Sequence, residues 1–254
     1  SYNEWIRVGW ALKNTDNRLF LSWVKFSSMA KNFNYSDIPE LHAMWINFDD
    51  ETTNTGLLTY RSIIYWAKQD SPKDRFKSVH DDTIDYFIEL TLPQPDQVKY
   101  SIVEFDLAMV LYQIFKDRFV CTNVTKNIWY EFKNHRWQEC DAGTSLRLAI
   151  SQDMYIIYTK KIQETLKLMV ETEDKEKYKK IQVKTACMTD IGLNLKKTTD
   201  KNNIMREARE IFKDSKFHEK LDANTNLLCF NNGVFDFEQN VFRDGRPEDY
   251  LSMS

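Results

Sequence analysis

The chain has 254 residues, of which 42% are hydrophobic and 29% are charged, and its formal net charge is −3. This composition predicts a folded chain of one large or two small domains, and it excludes a strongly basic nucleic-acid-binding protein. No apolar run approaches the roughly 18 residues of a membrane helix, and no signal peptide is apparent. Four scattered cysteines favour a reducing, intracellular compartment. Ser1 in place of Met predicts that the chain is a piece of something longer.

The N-terminal third is predicted to be a small helical bundle with a tryptophan-rich core. Apolar residues recur at helical spacing over 3–35, with a polar break that separates two helices. Asp37 followed by Pro39 predicts the start of a third helix, since proline is favoured in a first turn. Thr59 is the expected N-cap of the next helix.

A domain boundary is predicted at residues 91–102. The segment Leu92–Pro95 contains two prolines and cannot continue a helix, which suits an extended linker. The sequence therefore predicts a helical domain over 1–90 and a second domain over 103–254.

The second domain is predicted to mix helices with short antiparallel strands. Helical periodicity is strong from Val103 to about Phe119, with Phe105 on the inward face, and returns over 144–171, with Leu166 inward, and 201–214. Alternating segments predict strands at 119–121, 128–132, 136–138, 227–230, 234–237 and 241–243, and Asn232-Gly233 predicts a type I′ turn between two of them. The expected fold class is α+β and predominantly α-helical.

Catalytic chemistry is not evident in the sequence. The chain has six glycines, and no two lie within ten residues of each other, so a glycine-rich phosphate-binding loop is excluded. We expect no catalytic residues, no metal site and no cofactor in this segment. A remote alternative is a nuclease that uses Asp81, Asp82 and Asp85. The adjacent pair Asp49-Asp50 is explained better as a solvated loop.

Basic and aromatic residues alternate around the predicted central hairpin. Basic groups near aromatic rings can contact phosphates while unpaired bases stack on the rings. The alternative is that the aromatics belong to the core and the charges line its solvent side. Lys160 and Lys161 could extend a basic face along the C-terminal helices. The candidate nucleic-acid-binding residues are Lys126, Lys133, His135, Arg136, Lys160 and Lys161.

Two groups of motifs carry a resemblance to a known family. The C-terminal segments 227–236 and 242–249, with Trp129-Tyr130-Glu131-Phe132 and His135-Arg136-Trp137 upstream, resemble the domain before the helicase core in primase-helicases of nucleocytoplasmic large DNA viruses, the poxvirus and mimivirus type. Segments 1–5 and 58–68 are similar to the small domain that follows the primase core in the same proteins. The motif residues are Trp129, Trp137, Asn232, Gly233, Asp236, Arg243 and Pro247.

The resemblance implies a role in DNA replication. In the family, a primase precedes these domains and an ATP-dependent helicase that forms a hexameric ring follows them, so ATP and Mg would be needed by the parent protein. The segment itself would couple primase to helicase, support oligomerisation and guide single-stranded or forked DNA. It would work with other viral replication proteins in the host cytoplasm or a viral replication factory.

An alternative function is a protein–protein interaction module that recruits replication factors without touching DNA. Residues 37–106 carry 14 acidic and 6 basic residues, a balance that disfavours contact with phosphates.

Overall fold

The computed structural model describes residues 1–48, 58–94, 97 and 99–253. The predicted Asp49-Asp50 loop and Pro95 of the predicted linker lie outside the described residues. The described chain is mainly helical and contains two three-stranded sheets, ordered β1-β2-β3 and β4-β5-β6, so the predicted α+β, predominantly helical class is confirmed.

Contacts divide the chain into two compact units that are not continuous in sequence. Unit 1 comprises residues 1–77, 134–136 and 220–254, and unit 2 comprises residues 78–133 and 137–219. The predicted domain boundary at 91–102 remains a prediction.

The N-terminal part of unit 1 is a bundle of short helices, as predicted. Its core holds Trp23 and Trp45, and the indole of Trp5 stacks on that of Trp23 with centroids 4.9 Å apart. Thr59 caps its helix as expected, because its hydroxyl accepts a hydrogen bond from the Arg61 backbone N–H. The helices are α1 (Tyr2–Thr15), α2 (Phe20–Ser27), α3 (Ile38–Ile46) and α4 (Tyr60–Asp70).

The C-terminal part of unit 1 is an antiparallel sheet of strands β4 (Leu227–Phe230), β5 (Gly233–Asp236) and β6 (Val241–Arg243). The predicted type I′ turn at Asn232-Gly233 is wrong. Phe230 pairs with Gly233, so the turn residues are Asn231 and Asn232, and neither of them has a positive φ. Gly233 is needed for another reason: its φ is +156°, and a Cβ there would lie 2.7 Å from the Arg243 carbonyl oxygen.

Unit 2 has its own core, in which helices pack around a small sheet. The sheet contains β1 (Phe119–Asn123), β2 (Ile128–Lys133) and β3 (Arg136–Cys140), close to the predicted strands. Buried side chains of the surrounding helices include Leu107, Leu111, Ile150, Tyr158 and Ile204. The helices are α5 (Lys73–Leu90), α6 (Glu104–Phe115), α7 (Thr144–Ala149), α8 (Tyr155–Glu171), α9 (Lys175–Asn194), α10 (Thr198–Ile211) and α11 (Phe217–Lys220); α5, β3 and α11 extend across the boundary between the units.

Several local predictions in unit 2 are wrong. Phe105 and Leu166 are exposed, although both were expected to face inward. The helical run from 144 to 171 contains a π-helical turn at Ile150–Met154, which rotates the following residues relative to an uninterrupted α-helical register.

Candidate nucleic-acid interface

The central hairpin holds two of the motif tryptophans, and both are buried. Strand β2 alternates between inward and outward side chains, which places Trp129 and Glu131 in the core of unit 2. The Trp129 Nε1 donates to Asn127 Oδ1 at 2.9 Å, and Trp137 packs edge-to-face against Phe217. Bases therefore have no access to either indole, and the reading in which these two rings belong to the core is the correct one.

Glu131 is a buried carboxylate whose two oxygens both accept hydrogen bonds. Its Oε1 accepts a hydrogen bond from Arg118 Nε at 2.9 Å, and its Oε2 accepts one from the Ser145 hydroxyl at 2.7 Å. A buried carboxylate is tolerated when its oxygens are paired in this way. Glu131 therefore ties β2 to the segments before β1 and after β3.

The predicted basic residues of the hairpin have different surroundings. Lys126 and Lys133 are exposed, as a phosphate contact requires. Arg136 is half-buried, and its Nη1 donates to Asn231 Oδ1 at 3.3 Å. His135 is also half-buried, has a φ of +67°, and accepts a hydrogen bond at Nδ1 from the Gly245 backbone N–H at 3.1 Å. The tip of the hairpin is thus held against the C-terminal segment of unit 1.

Lys160 and Lys161 also differ from each other. Lys160 is exposed, whereas Lys161 Nζ lies 2.6 Å from Asp85 and 3.2 Å from Glu164. Burial lowers the pKa of Lys161, but hydrogen bonds to the two carboxylates outweigh it and leave that pKa raised. The charge of Lys161 is therefore already matched within unit 2, at the edge of a cavity of about 320 Å³.

The acidic residues considered for a nuclease do not form a metal site. Asp85 is paired with Lys161, and Asp81 and Asp82 lie on the same helix, α5. Within 1–48, 58–94, 97 and 99–253, no group of three His, Cys, Asp or Glu side chains is placed to hold a metal ion.

An ion-paired cluster, which we call the Arg243 clamp, joins β5, β6 and the C-terminal turn. Arg243 makes two hydrogen bonds to the Asp249 carboxylate, at 2.8 and 2.9 Å, and its Nη2 lies 3.3 Å from Asp236 Oδ2. All three side chains are largely buried. The bidentate geometry is the strong form of an Arg–carboxylate pair, so the clamp fixes the turn that Pro247 begins.

The C-terminal turn also contacts the N-terminal helices of unit 1. The guanidinium carbon of Arg246 lies 4.0 Å from the centroid of the Tyr65 ring on α4. A cation over an aromatic face at this distance is favourable by about 1 kcal/mol. The turn and α4 are therefore in direct contact.

Glu248, in the same turn, is an unusual carboxyl group. Its Oε1 is buried and has no hydrogen-bond partner in the part of the chain that the structure describes. Burial raises the pKa of Glu248 from 4.5 to about 7, with Asp249 adding to the rise and Arg246 and Lys68 opposing it. The carboxyl group of Glu248 is therefore harder to ionise in the folded chain than in the unfolded chain.

The raised pKa of Glu248 predicts a pH-dependent stability. The folded chain binds this proton more tightly than the unfolded chain, so the stabilising effect is complete below pH 4.5 and is lost as the pH rises toward 7. We expect Glu248→Gln to be more stable than the parent by about 1–3 kcal/mol at pH 8 and nearly equal at pH 5. Urea unfolding of both proteins at the two pH values measures this difference, and a constant difference would contradict it.

The family model described as D5 N terminal like matches residues 108–254, more than half of the chain. The chain belongs to this family. A second model, Primase C terminal 2, matches residues 1–67, so both parts of the predicted resemblance are confirmed.

The relatives that match this chain come from large DNA viruses. It is 31% identical over 252 residues to a protein named "Putative helicase" of Acanthamoeba polyphaga mimivirus, covering 99% of this chain and 25% of the relative. It is 22% identical over 277 residues to a "Putative helicase" of Frog virus 3, covering 98% of this chain and 27% of the relative. It is 24% identical over 260 residues to a "Putative primase" of African swine fever virus, covering 93% of this chain and 25% of the relative. The chain thus spans about a quarter of the length of these relatives.

Several motif residues of the D5 N terminal like region have an evident structural role. Trp129 and Trp137 are core residues, Asp236 and Arg243 belong to the Arg243 clamp, and Gly233 permits close approach of β6. Among the described residues, no helix is long and apolar enough to cross a membrane.

Sequence reasoning missed an exposed group of phenylalanines on the second sheet of the D5 N terminal like region. Phe230, Phe237 and Phe242 are each more than two fifths exposed. The alternation within β4, where Leu228 and Phe230 point away from the buried side, was a signal that could have identified them.

Proposed function

We propose that this chain is the non-catalytic segment that couples the primase and helicase regions of a viral DNA-replication protein. The observation that supports this most strongly is the contact between the two family regions within unit 1. Tyr65 lies in the region that matches the primase C-terminal model. Its ring makes a cation–π contact with the guanidinium of Arg246, which lies in the D5 N terminal like region. Through such a contact, a movement of one region would be passed on to the other.

The same proposal gives the segment a role in guiding single-stranded DNA. Lys126 is exposed in the turn between β1 and β2, Lys133 is exposed at the end of β2, and Arg136 follows the turn after Lys133. These residues would contact phosphates, and the binding would weaken with added salt because phosphate contacts release counterions. The larger protein would bind ATP and Mg, assemble as a ring and act inside the host cell, in the cytoplasm or a viral replication factory.

Fluorescence anisotropy with labelled single-stranded DNA tests the guiding role. We expect the double variant Lys133→Ala/Arg136→Ala to bind about 5- to 20-fold more weakly than the parent in about 50 mM salt, because two phosphate contacts are lost. The matched control is Lys25→Ala/Lys31→Ala, which removes two exposed positive charges from the N-terminal helical region. Equal losses in the two double variants would show that only net charge matters and would contradict a DNA-guiding hairpin.

A second candidate is an interaction module that binds replication proteins and not DNA. It is favoured by large apolar side chains that are exposed in the N-terminal helical region and that a protein partner would cover. If the parent chain fails to bind DNA in about 50 mM salt, this candidate replaces the first. The exposed residues are Tyr2, Leu21, Met29, Tyr35 and Ile46.

A further inference from the structure

One side of the second sheet presents aromatic rings to solvent. The strand register places Phe235 opposite both Leu228 and Phe242, so these three side chains form a row across β4, β5 and β6. Phe230 is two residues from Leu228 and points to the same side. With the adjacent Phe237, these residues form what we call the aromatic face.

The rings of the aromatic face are paired and accessible. Phe230, Phe242 and Phe237 are 43%, 51% and 56% exposed. The Phe230 and Phe242 centroids lie 6.0 Å apart, and those of Phe235 and Phe237 lie 4.9 Å apart. Clustered exposed apolar residues of this kind mark an interaction site more often than isolated ones do.

The opposite side of the same sheet is buried along β5, whereas Val241 on β6 is 41% exposed. Val234 is fully buried, and Asp236 and Arg243 on that side are engaged in the Arg243 clamp. The exposure of the phenylalanines therefore does not result from a loosely folded sheet. The clamp holds the strands in register, so the aromatic face is a rigid surface.

A cation lies beside the end of β4, at the edge of the sheet that carries the aromatic face. The Arg136 guanidinium donates to Asn231, the residue that directly follows Phe230. Arg243 offsets one of the two negative charges of Asp236 and Asp249, which reduces their repulsion of a polyanion. Exposed aromatic rings beside an arginine are the elements with which proteins bind single-stranded nucleic acid.

We propose that the aromatic face is a stacking platform for the bases of single-stranded DNA, with Arg136 placed at the adjacent phosphate. The inference rests on the proposed guiding function and adds a base-dependent contribution to it. A protein partner is the other class of occupant. Phenylalanine outnumbers aliphatic residues four to one on this face, and base stacking, unlike apolar burial, requires the aromatic ring itself.

The test compares an oligothymidylate of about 20 nucleotides with an abasic oligomer of the same phosphate number, by anisotropy in about 50 mM salt. Phe242→Leu keeps an apolar side chain and removes the ring, whereas Phe242→Tyr keeps the ring. We expect Phe242→Leu to bind oligothymidylate about 5-fold or more weakly, Phe242→Tyr to bind it like the parent, and neither change to alter abasic binding. The control Leu168→Ala removes an exposed aliphatic group on α8, outside the aromatic face, and is expected to leave oligothymidylate binding unchanged. Leu228→Ala, within the face, tests whether any apolar member of the face contributes.

The outcomes separate this inference from the guiding function. Unchanged oligothymidylate binding by Phe242→Leu, with abasic binding still lost in Lys133→Ala/Arg136→Ala, overturns the platform and leaves the guiding function standing. Equal weakening by Leu228→Ala and Phe242→Leu shows a general apolar contact and also overturns stacking. If the parent chain binds neither oligomer, both proposals fail.

Discussion

Replacing Arg243 with alanine is expected to destabilise unit 1 by about 3–5 kcal/mol. The substitution leaves the Asp236 and Asp249 carboxylates largely buried without their cation, and removing one partner of a buried ion pair costs this much. The fall in the free energy of unfolding is measured by urea denaturation followed by far-ultraviolet circular dichroism. Since the Arg243 clamp fixes the C-terminal turn, we expect the loss to appear in unit 1.

The matched control for this experiment is Arg18→Ala. Arg18 also pairs with a carboxylate, Asp16, through several short hydrogen bonds, but its side chain is exposed. Exposed pairs contribute little to stability, so no measurable change is expected. If Arg243→Ala proved as harmless as Arg18→Ala, the Arg243 clamp would not hold the sheet and the turn together.

The second large effect is expected from Gly245→Ala. A Cβ at Gly245 would lie 2.2 Å from the His135 carbonyl oxygen and 2.7 Å from its Cβ, so the backbone of one segment must move. The move would also break the hydrogen bond from the Gly245 N–H to His135 Nδ1. We expect a loss of about 1–3 kcal/mol or more, measured by urea denaturation.

Gly192→Ala is the matched control and is expected to have the opposite sign. A Cβ at Gly192 would meet only the Tyr155 ring, at an ordinary contact distance of 3.6 Å. Because Gly192 lies within α9, alanine there improves helix propensity by up to about 1 kcal/mol. A Gly245→Ala variant as stable as the parent would contradict the close docking of the hairpin tip.

The strands were predictable from sequence because local pattern determines them. Segments that alternate around short turns predicted, to within a few residues, the six strands found in the described part of the chain. Thr59 was identified as a cap from its residue type alone. The turn at Asn231 and Asn232 was not predictable in detail. Its register depends on the pairing of Phe230 with Gly233, which is set by packing against β6.

Side-chain burial on the two sheets was the harder problem. Trp129 and Phe242 both lie in aromatic, alternating segments, yet the first is fully buried and the second is half exposed. The difference arises from helices that cover the first sheet and from the Arg243 clamp on the second, and both are tertiary features. The candidate basic residues were found from sequence, but the partners of Lys161 and His135 could be found only from the fold.

The measurement that tests the central claim most directly is a titration of labelled single-stranded DNA with the parent chain at several salt concentrations. The proposed coupling segment is predicted to bind at about 50 mM salt and to lose at least about 10-fold in affinity by about 200 mM, as expected when a few phosphates are contacted. Absence of binding at the lowest salt, or binding that does not change with salt, would contradict a segment that guides DNA between primase and helicase.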